Sequence, residues 1–470
     1  MRTERNRARK ARLAALALTV AAGLLLFAGV KLRGPASSAA GYAAKVTCSG
    51  VFLSGRDAAA IRREELAMDT PVARLIAVEV DRSAGTATGS VAGIVKRTAV
   101  YRPGLGCTLD SETSVAELRS QPIPPPSRPQ PDPWPAGGLD GVDRGALDRA
   151  VASAFDEPDP AHPKRTRAVV VIHDGNLAAE RYAPGYDQDM RLQGWSMTKS
   201  LTNALVGILA GEGKLKLHDP APVPEWGSPA DPRHAITLDQ LLHMSSGLEF
   251  NESYGALESD VVVMLFRKPS AAAYAASKPL AHPPGAVWDY SSGTANIISR
   301  IVRDAVGKGL SDYWLFPRQA LFDRIGMASV VLEPDASGTF VGSSFCYAAA
   351  RDWARLGYLY LNDGVANGRR ILPEGWVKYS TTPAPKAPKG CYGAQIWLNA
   401  GDAADPANRP WPQAPRDAFA FDGFEGQHVF VVPSRRLVVV RLGLSQARST
   451  WKPGEFLARV AAVFPEAPAR

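Results

Sequence analysis

Two hairpin signals, one at each end of a largely helical stretch, constrain this chain most. Arg167 to His173 is apolar and β-branched, Asp174-Gly175 is a turn pair, and Leu177 to Tyr182 resumes the strand pattern. Much later, Gln427 to Val432, a Pro433-Ser434 turn and Leu437 to Leu444 repeat it. Between them Ser196 to Ala210 reads as a helix, apolar nearly all round after Ala204 and closed by Gly211 and Gly213. Hairpins at both ends of one domain predict a single antiparallel sheet that joins them. Helices at Leu147 to Phe155 and Pro453 to Phe464 would flank it. The expected class is therefore α+β, not an alternating parallel sheet.

The formal charge of +8 suggests a nucleic-acid partner until it is located. Arg2, Arg5, Arg7, Arg9, Lys10, Arg12, Lys31 and Arg33 stand against Glu4 alone. Without that segment 46 basic and 45 acidic residues remain, so the rest of the chain is nearly neutral and points to no nucleic acid. The basic cluster precedes Leu13 to Val30, 18 residues without a charge, which is just enough to span a bilayer. Flanking cations keep the N-terminal end in the cytoplasm and send the rest of the chain across the membrane. Small residues at Ser37, Ser38, Ala39 and Ala40 offer a cleavage site. The apolar run exceeds a usual signal core, which favours a retained anchor in the inner membrane with the rest of the chain on the periplasmic side.

Four cysteines suit an oxidising destination. Cys48 and Cys107 bracket one small segment, and their pairing is the better supported. Cys346 with Cys391 is a second candidate pair, weighed against two buried free thiols. No Cys-x-x-Cys or paired histidine pattern marks a metal site. The expected organisation is residues 1–34 as basic N-terminus and anchor or signal, and 45–118 as a small accessory domain. A linker at 119–138 comes next, with eight prolines between Gln121 and Pro135 that set a stiff spacer. The main domain runs over 139–470.

Chemistry enters at Ser196-Met197-Thr198-Lys199. Residues three apart share a helix face, so the lysine can reach the serine hydroxyl and take its proton. The helix start adds unpaired N–H groups and the positive dipole end. Ser449-Thr450-Trp451-Lys452 has the same spacing but reads as a loop before Pro453. A doubly wound hydrolase would set its serine in Gly-x-Ser-x-Gly, and Gly194-Trp195-Ser196-Met197-Thr198 lacks the second glycine. Tyr290 lies in a polar loop before a second helix, where its phenol could serve a cleft. His243 reads as a helix-end structural residue, Asp352 as a helix anchor, and His428 as facing away from the cleft.

With these motifs in hand, the chain resembles the serine β-lactamase and penicillin-binding-protein superfamily. It is most similar to the class C-like branch of esterases, D-aminopeptidases and 6-aminohexanoate-dimer hydrolases. The resemblance rests on Ser196-Met197-Thr198-Lys199, then Leu241-Leu242-His243-Met244-Ser245-Ser246-Gly247-Leu248, then Tyr290-Ser291-Ser292, then Gly423-Phe424-Glu425-Gly426-Gln427, in family order. It covers about residues 140 to 465. It implies a β-lactamase/DD-peptidase-like sheet flanked by helices, with a helical subdomain. It also implies an acyl-enzyme at Ser196, proton transfer by Lys199 and Tyr290, and an oxyanion hole from the N–H groups of Ser196 and Gln427. No cofactor is implied.

Two departures bear on substrate. Ser292 stands where the family's Tyr-x-Asn motif has asparagine. Phe424 and Glu425 stand where true β-lactamases begin their strand motif with a lysine that helps bind a carboxylate. With Trp195, Trp288 and Gly426 they are the expected pocket, along with Trp397, and they suit a neutral or cationic ester or amide. The expected function is an exported serine hydrolase of small esters or amides. The alternatives are a peptidoglycan-directed peptidase or transferase, a β-lactamase, and a silent penicillin-binding-like receptor.

Overall fold

Where a cleavage site was expected the chain is helical. The computed structural model describes residues 31–66, 74–121, 141–307, 309–446 and 450–467, with Ile123, Trp134 and Leu139. The expected anchor at 13–30 and most of the 119–138 linker lie outside the described residues. Among the described residues no helix is long and apolar enough to cross a membrane. The first helix, α1, runs over 31–52, and Ser38, Ala39 and Ala40 are buried within it. Alanine is the best helix former, and small side chains let α1 lie close to a neighbouring sheet.

After α2 (Ala58–Glu64) that sheet forms from β1 (Ile76–Asp81), β2 (Thr86–Val91), β3 (Val95–Arg102) and β4 (Gly106–Leu109), in sequential antiparallel order. A Cβ on Gly89 of β2 would lie 2.2 Å from the Ala40 carbonyl oxygen, so only glycine admits α1 there. Cys48 and Cys107 form a disulfide that ties α1 to β4. Cys346 and Cys391 are free and buried, which corrects the expected second pair. Their neighbours give each thiol its own apolar seat: Cys346 joins the main core and Cys391 packs with Met244 and Tyr392.

The main domain opens with α3 (Arg144–Ala152), then β5 (Thr166–His173) and β6 (Asn176–Tyr182). Helices α4 (Met197–Gly211), α5 (Leu238–Leu242), α6 (Asp260–Arg267), α7 (Ser292–Val306) and α8 (Ala350–Leu361) come after them. Strands β7 (Trp397–Leu398), β8 (Phe419–Gly423), β9 (Gln427–Val432) and β10 (Leu437–Gly443) precede the closing helix α9 (Pro453–Ala461). The six strands make one antiparallel sheet in the order β7-β8-β9-β10-β5-β6. Val440 faces Val170 across the β10–β5 seam, so the two hairpins join as expected.

Alternation along the strands explains why they read as continuous apolar runs. Val169, Val171, Val439 and Phe430 pack with α3 and α9 on one face. Val170, Ile172, Val438 and Val440 pack with α4 and α8 on the other. With both faces covered, no strand position needs a polar residue. Gly357 of α8 brings that helix onto the sheet, since a Cβ there would lie 2.7 Å from Val429 and Val438. α7 packs against α4, α5 and α6, and this helical layer carries the loops around Ser196.

The first unit does not stand apart from the main domain. Ala44, Cys48, Ala87, Cys107 and Leu109 belong to the same core cluster as α4 and the sheet. Lys45 pairs with buried Glu333 of the main domain, whose carboxylate also accepts from Ser49 Oγ (2.8 Å) and Cys107 N–H (2.6 Å). Arg56 and Arg167 share Glu65, the Arg167 bond being 2.9 Å.

Candidate active site

Ser196 is placed by a strained approach. Leu192-Gln193 pairs with the short strand Cys346–Ala348, and Gly194 passes under Trp353, where a Cβ would lie 2.3 Å from the indole. Trp195 then takes φ +48°, a left-handed conformation that a bulky residue holds only where its surroundings impose it. Ser196 caps α4 and Lys199 lies one turn in. Only 1% exposed, Lys199 donates from Nζ to Ser196 Oγ (2.9 Å), Ser292 Oγ (3.0 Å) and the Ser343 carbonyl (3.1 Å). Its Nζ sits 4.8 Å from the centroid of the Tyr290 ring. The Ser196 hydroxyl also favours the ionised form of the Tyr290 phenol. The three expected catalytic residues thus meet.

Burial sets their protonation. It lowers the Lys199 ammonium to about 8, against the opposing pull of Glu252 and Asp422. Burial, then Tyr392 and Glu252, push the Tyr290 phenol well above its ordinary 10, with the Ser196 hydroxyl opposing. A lysine near 8 can lose its proton in the neutral range and this tyrosine cannot, so Lys199 is the available base and Tyr290 a donor.

Glu252 was not legible in the sequence. Its carboxylate accepts from Ser292 N–H (2.8 Å) and from Ser292 Oγ. Ser292 thus donates its hydroxyl hydrogen to the carboxylate and offers its oxygen to Lys199. The site is at the first turn of α7, where a carboxylate complements the helix dipole. Burial raises the Glu252 carboxyl and Lys199 opposes that rise. Two residues on, Tyr254 stacks on Phe424 (4.7 Å, 17°) and meets Trp195 edge-on (6.1 Å). Ser292, shorter than the asparagine of the family motif, is bonded by both its N–H and its hydroxyl to the Glu252 carboxylate.

Aromatic rings wall the site on two sides. Phe424, Trp195 and Tyr254 form one group. Tyr290, Tyr392, Trp288 and Trp397 form the other, with Tyr290 5.4 Å from Trp397 and Trp288 5.6 Å from Tyr392. Trp288, Trp397 and Phe424, three of the expected pocket residues, belong to these two groups, and Ser292 lies between Lys199 and Glu252.

Glu425 and Gly426 do not. Glu425 takes φ +63°, and its carboxyl reaches the Trp195 indole on the side of Glu65 and Arg167. Burial and the nearby Glu65 push it up to about 8. Gly426 backs onto Arg441 and Trp451, the Arg441 guanidinium donating to its carbonyl at 2.8 Å. Gln427 is tied by its side-chain amide to both backbone groups of Gly443 (2.6 and 2.9 Å). Gly423 meets the segment that leads into Ser196, since a Cβ there would lie 2.2 Å from the Gly194 carbonyl oxygen. His243 ends α5 beside Asp239 (3.1 Å), Asp352 accepts from Ser329 N–H (2.7 Å), and His428 pairs with Asp422 (2.8 Å).

Residues 152–455 match the family model described as Beta-lactamase. The 6-aminohexanoate-dimer hydrolase of Paenarthrobacter ureafaciens is 27% identical over 308 residues, 59% of this chain and 72% of that protein. Among solved structures, a 6-aminohexanoate-dimer hydrolase homologue from Bacillus anthracis aligns with TM-score 0.53 at 22% identity, covering 74% of this chain and 89% of its own. A family VIII carboxylesterase aligns with TM-score 0.51 at 16% identity, covering 70% and 98%. These likenesses establish the fold.

Proposed function

The chain belongs to the beta-lactamase family, and on that footing we propose a serine hydrolase that cleaves small, non-anionic esters or amides through an acyl-enzyme on Ser196. The observation that carries this is the Lys199 ammonium nitrogen 2.9 Å from Ser196 Oγ in a dry setting. With Lys199 near 8, roughly a tenth of it is neutral at pH 7. Neutral Lys199 takes the Ser196 proton as Oγ attacks the carbonyl carbon. The C–O or C–N bond then breaks as the leaving group gains a proton through Tyr290. Water attacks the acyl carbon next, gives its proton back through the same pair, and Ser196 leaves reprotonated.

The developing oxyanion needs two donors, each worth roughly 3 kcal/mol of barrier. One is the N–H of Ser196 at the α4 start. The other lies in the 423–427 turn, and Phe424 fits that role better than Gln427 because Gly423 is the point of contact with Gly194. The two aromatic groups favour an uncharged acyl or alcohol part. Amide substrates are a class to test because a relative is named for hydrolysing 6-aminohexanoate dimer. Export, with the catalytic domain on the periplasmic side, is part of the same proposal and rests on Leu13 to Val30.

The test is intact-mass analysis of the full chain in detergent after fluorophosphonate treatment, beside Ser196→Ala, with p-nitrophenyl ester turnover. One adduct absent from Ser196→Ala, with turnover, is expected. Folded protein that neither labels nor turns over would overturn the enzyme in favour of a receptor.

A further inference from the structure

The large apolar side chains left exposed among the described residues are Leu32, Leu75 and Ile94, at 63%, 54% and 84%. The fold gathers them at one end of the first unit. The Leu75 carbonyl accepts the Ala92 N–H (2.9 Å), which sets Leu75 beside the β2–β3 turn that carries Ile94. α1 advances in step with β2. Ala44 shares a cluster with Ala87, Ala40 and Ala44 bracket Gly89, and Ala36, Ala39 and Ala43 pack with Val91. Four helical residues rise about 6 Å, and two strand residues about 6.6 Å. The next turn of α1, at Leu32, therefore reaches the level of Gly93 and Ile94.

Cations ring this end. Lys31, Arg33, Arg74 and Lys96 are exposed around it. Glu258 also lines the groove beside Lys31 and Arg33, and it pairs with Arg267 at 2.7 Å. The 18 uncharged residues from Leu13 to Val30 run directly into Lys31 at the same place. From Lys31 to the first buried residue, Ser38, the helix rises only about 10 Å. That is close to the headgroup layer on one side of a bilayer, about 5–8 Å. Such spacing leaves no tether between a spanning segment and the folded unit.

We propose that this end of the first unit docks on an anionic lipid bilayer. Leu32, Leu75 and Ile94 enter the interfacial layer, and Arg33, Arg74 and Lys96 meet lipid phosphates. The enzyme is then held flush on the membrane in one orientation. This rests on reading residues 13–30 as embedded, not on the serine chemistry. Burial of Ser38 to Ala40 fits retention of that segment, because cleavage there would cut a packed helix.

The test places an environment-sensitive fluorophore at Ile94→Cys or Leu75→Cys in the full chain, reconstituted in vesicles of 70:30 phosphatidylcholine and phosphatidylglycerol. Glu374→Cys, exposed on the main domain, is the control. Docking predicts a blue shift at positions 94 and 75, severalfold quenching by nitroxide-labelled lipid, and neither at 374. Replacing the anionic lipid with phosphatidylcholine should weaken the quenching. Protein that floats with vesicles while both probes stay in water would overturn docking and leave a loose anchor. Protein that does not float would overturn docking and the anchor together. A shift that grows with protein concentration at fixed lipid would overturn it in favour of a second copy on this face. Ester turnover on the same preparations reports separately on the hydrolase.

Discussion

Glu252 grips Ser292 by both its N–H, at 2.8 Å, and its hydroxyl, and that same hydroxyl oxygen receives Lys199 at 3.0 Å. A carboxylate therefore stands one hydroxyl away from the lysine that is proposed to activate Ser196. Its negative charge favours the ammonium form of Lys199, so it opposes burial and holds the lysine from falling further.

Ester kcat/KM should therefore rise with pH through about 8 as Lys199 loses its proton. Glu252→Gln removes the charge that raises Lys199, so the rising limb should move to lower pH. The maximal rate should fall by roughly 10- to 100-fold, about 1.4–2.7 kcal/mol, as Ser292 loses its fixed geometry. A pH–rate profile of both proteins decides this, and an unmoved limb means that the carboxylate does not govern the lysine.

Lys199→Met should abolish turnover and raise thermal stability at pH 7. The folded value of Lys199 lies below its ordinary 10.5, so the unfolded chain binds more protons between about 8 and 10.5. Stability of the native protein thus rises with pH across that window, and the full penalty stands below it. The interval corresponds to at most about 3 kcal/mol. Melting curves of the two proteins should differ at pH 7 and converge toward pH 10.5.

Tyr290→Phe keeps the ring against Tyr392 and Trp397 and removes only the phenol. Turnover of poor leaving groups such as alkyl amides should fall by roughly 10²- to 10⁴-fold. Activated p-nitrophenyl esters, which need no protonated leaving group, should suffer less. Equal losses on both substrates would remove Tyr290 from the leaving-group step.

Phe424→Ala should lower kcat/KM severalfold more for bulky aromatic esters than for acetate esters, because it removes the ring stacked on Tyr254. A series of p-nitrophenyl esters of rising acyl size measures this directly.

Glu333→Ala strands Lys45, 3% exposed, without its counter-charge. Leaving a buried charge alone costs about 3–5 kcal/mol, so a clear fall in melting temperature is expected. A chain beginning at residue 45 loses the buried Ala39, Ala40, Ala43 and Ala44 and should be less stable still.

What the sequence revealed was local. The strand pair Gln427–Val432 and the Ser196–Lys199 turn depend on patterns a few residues long, and the structure reproduces both. Glu252 lies 40 residues from Ser292, and no short spacing links them. Glu425 faces away from the cleft because its backbone is left-handed, a conformation that a glutamate does not advertise. α1 was hidden for the opposite reason. Its run of small residues resembles a cleavage site until Gly89 supplies the surface that selects them.

Lys45 and Glu333 are 288 residues apart in the chain, which gives the fold an order in time. When the first unit leaves the ribosome, the carboxylate that neutralises its buried lysine has not yet been made. Until Glu333 arrives, burying charged Lys45 leaves it without its counter-charge, which disfavours the seating of α1. Contacts of such long range slow folding and prolong the exposure of unpaired apolar surface. A nascent chain stalled before Glu333 would therefore remain protease-sensitive at its N-terminal unit, however well that unit's own sheet had formed.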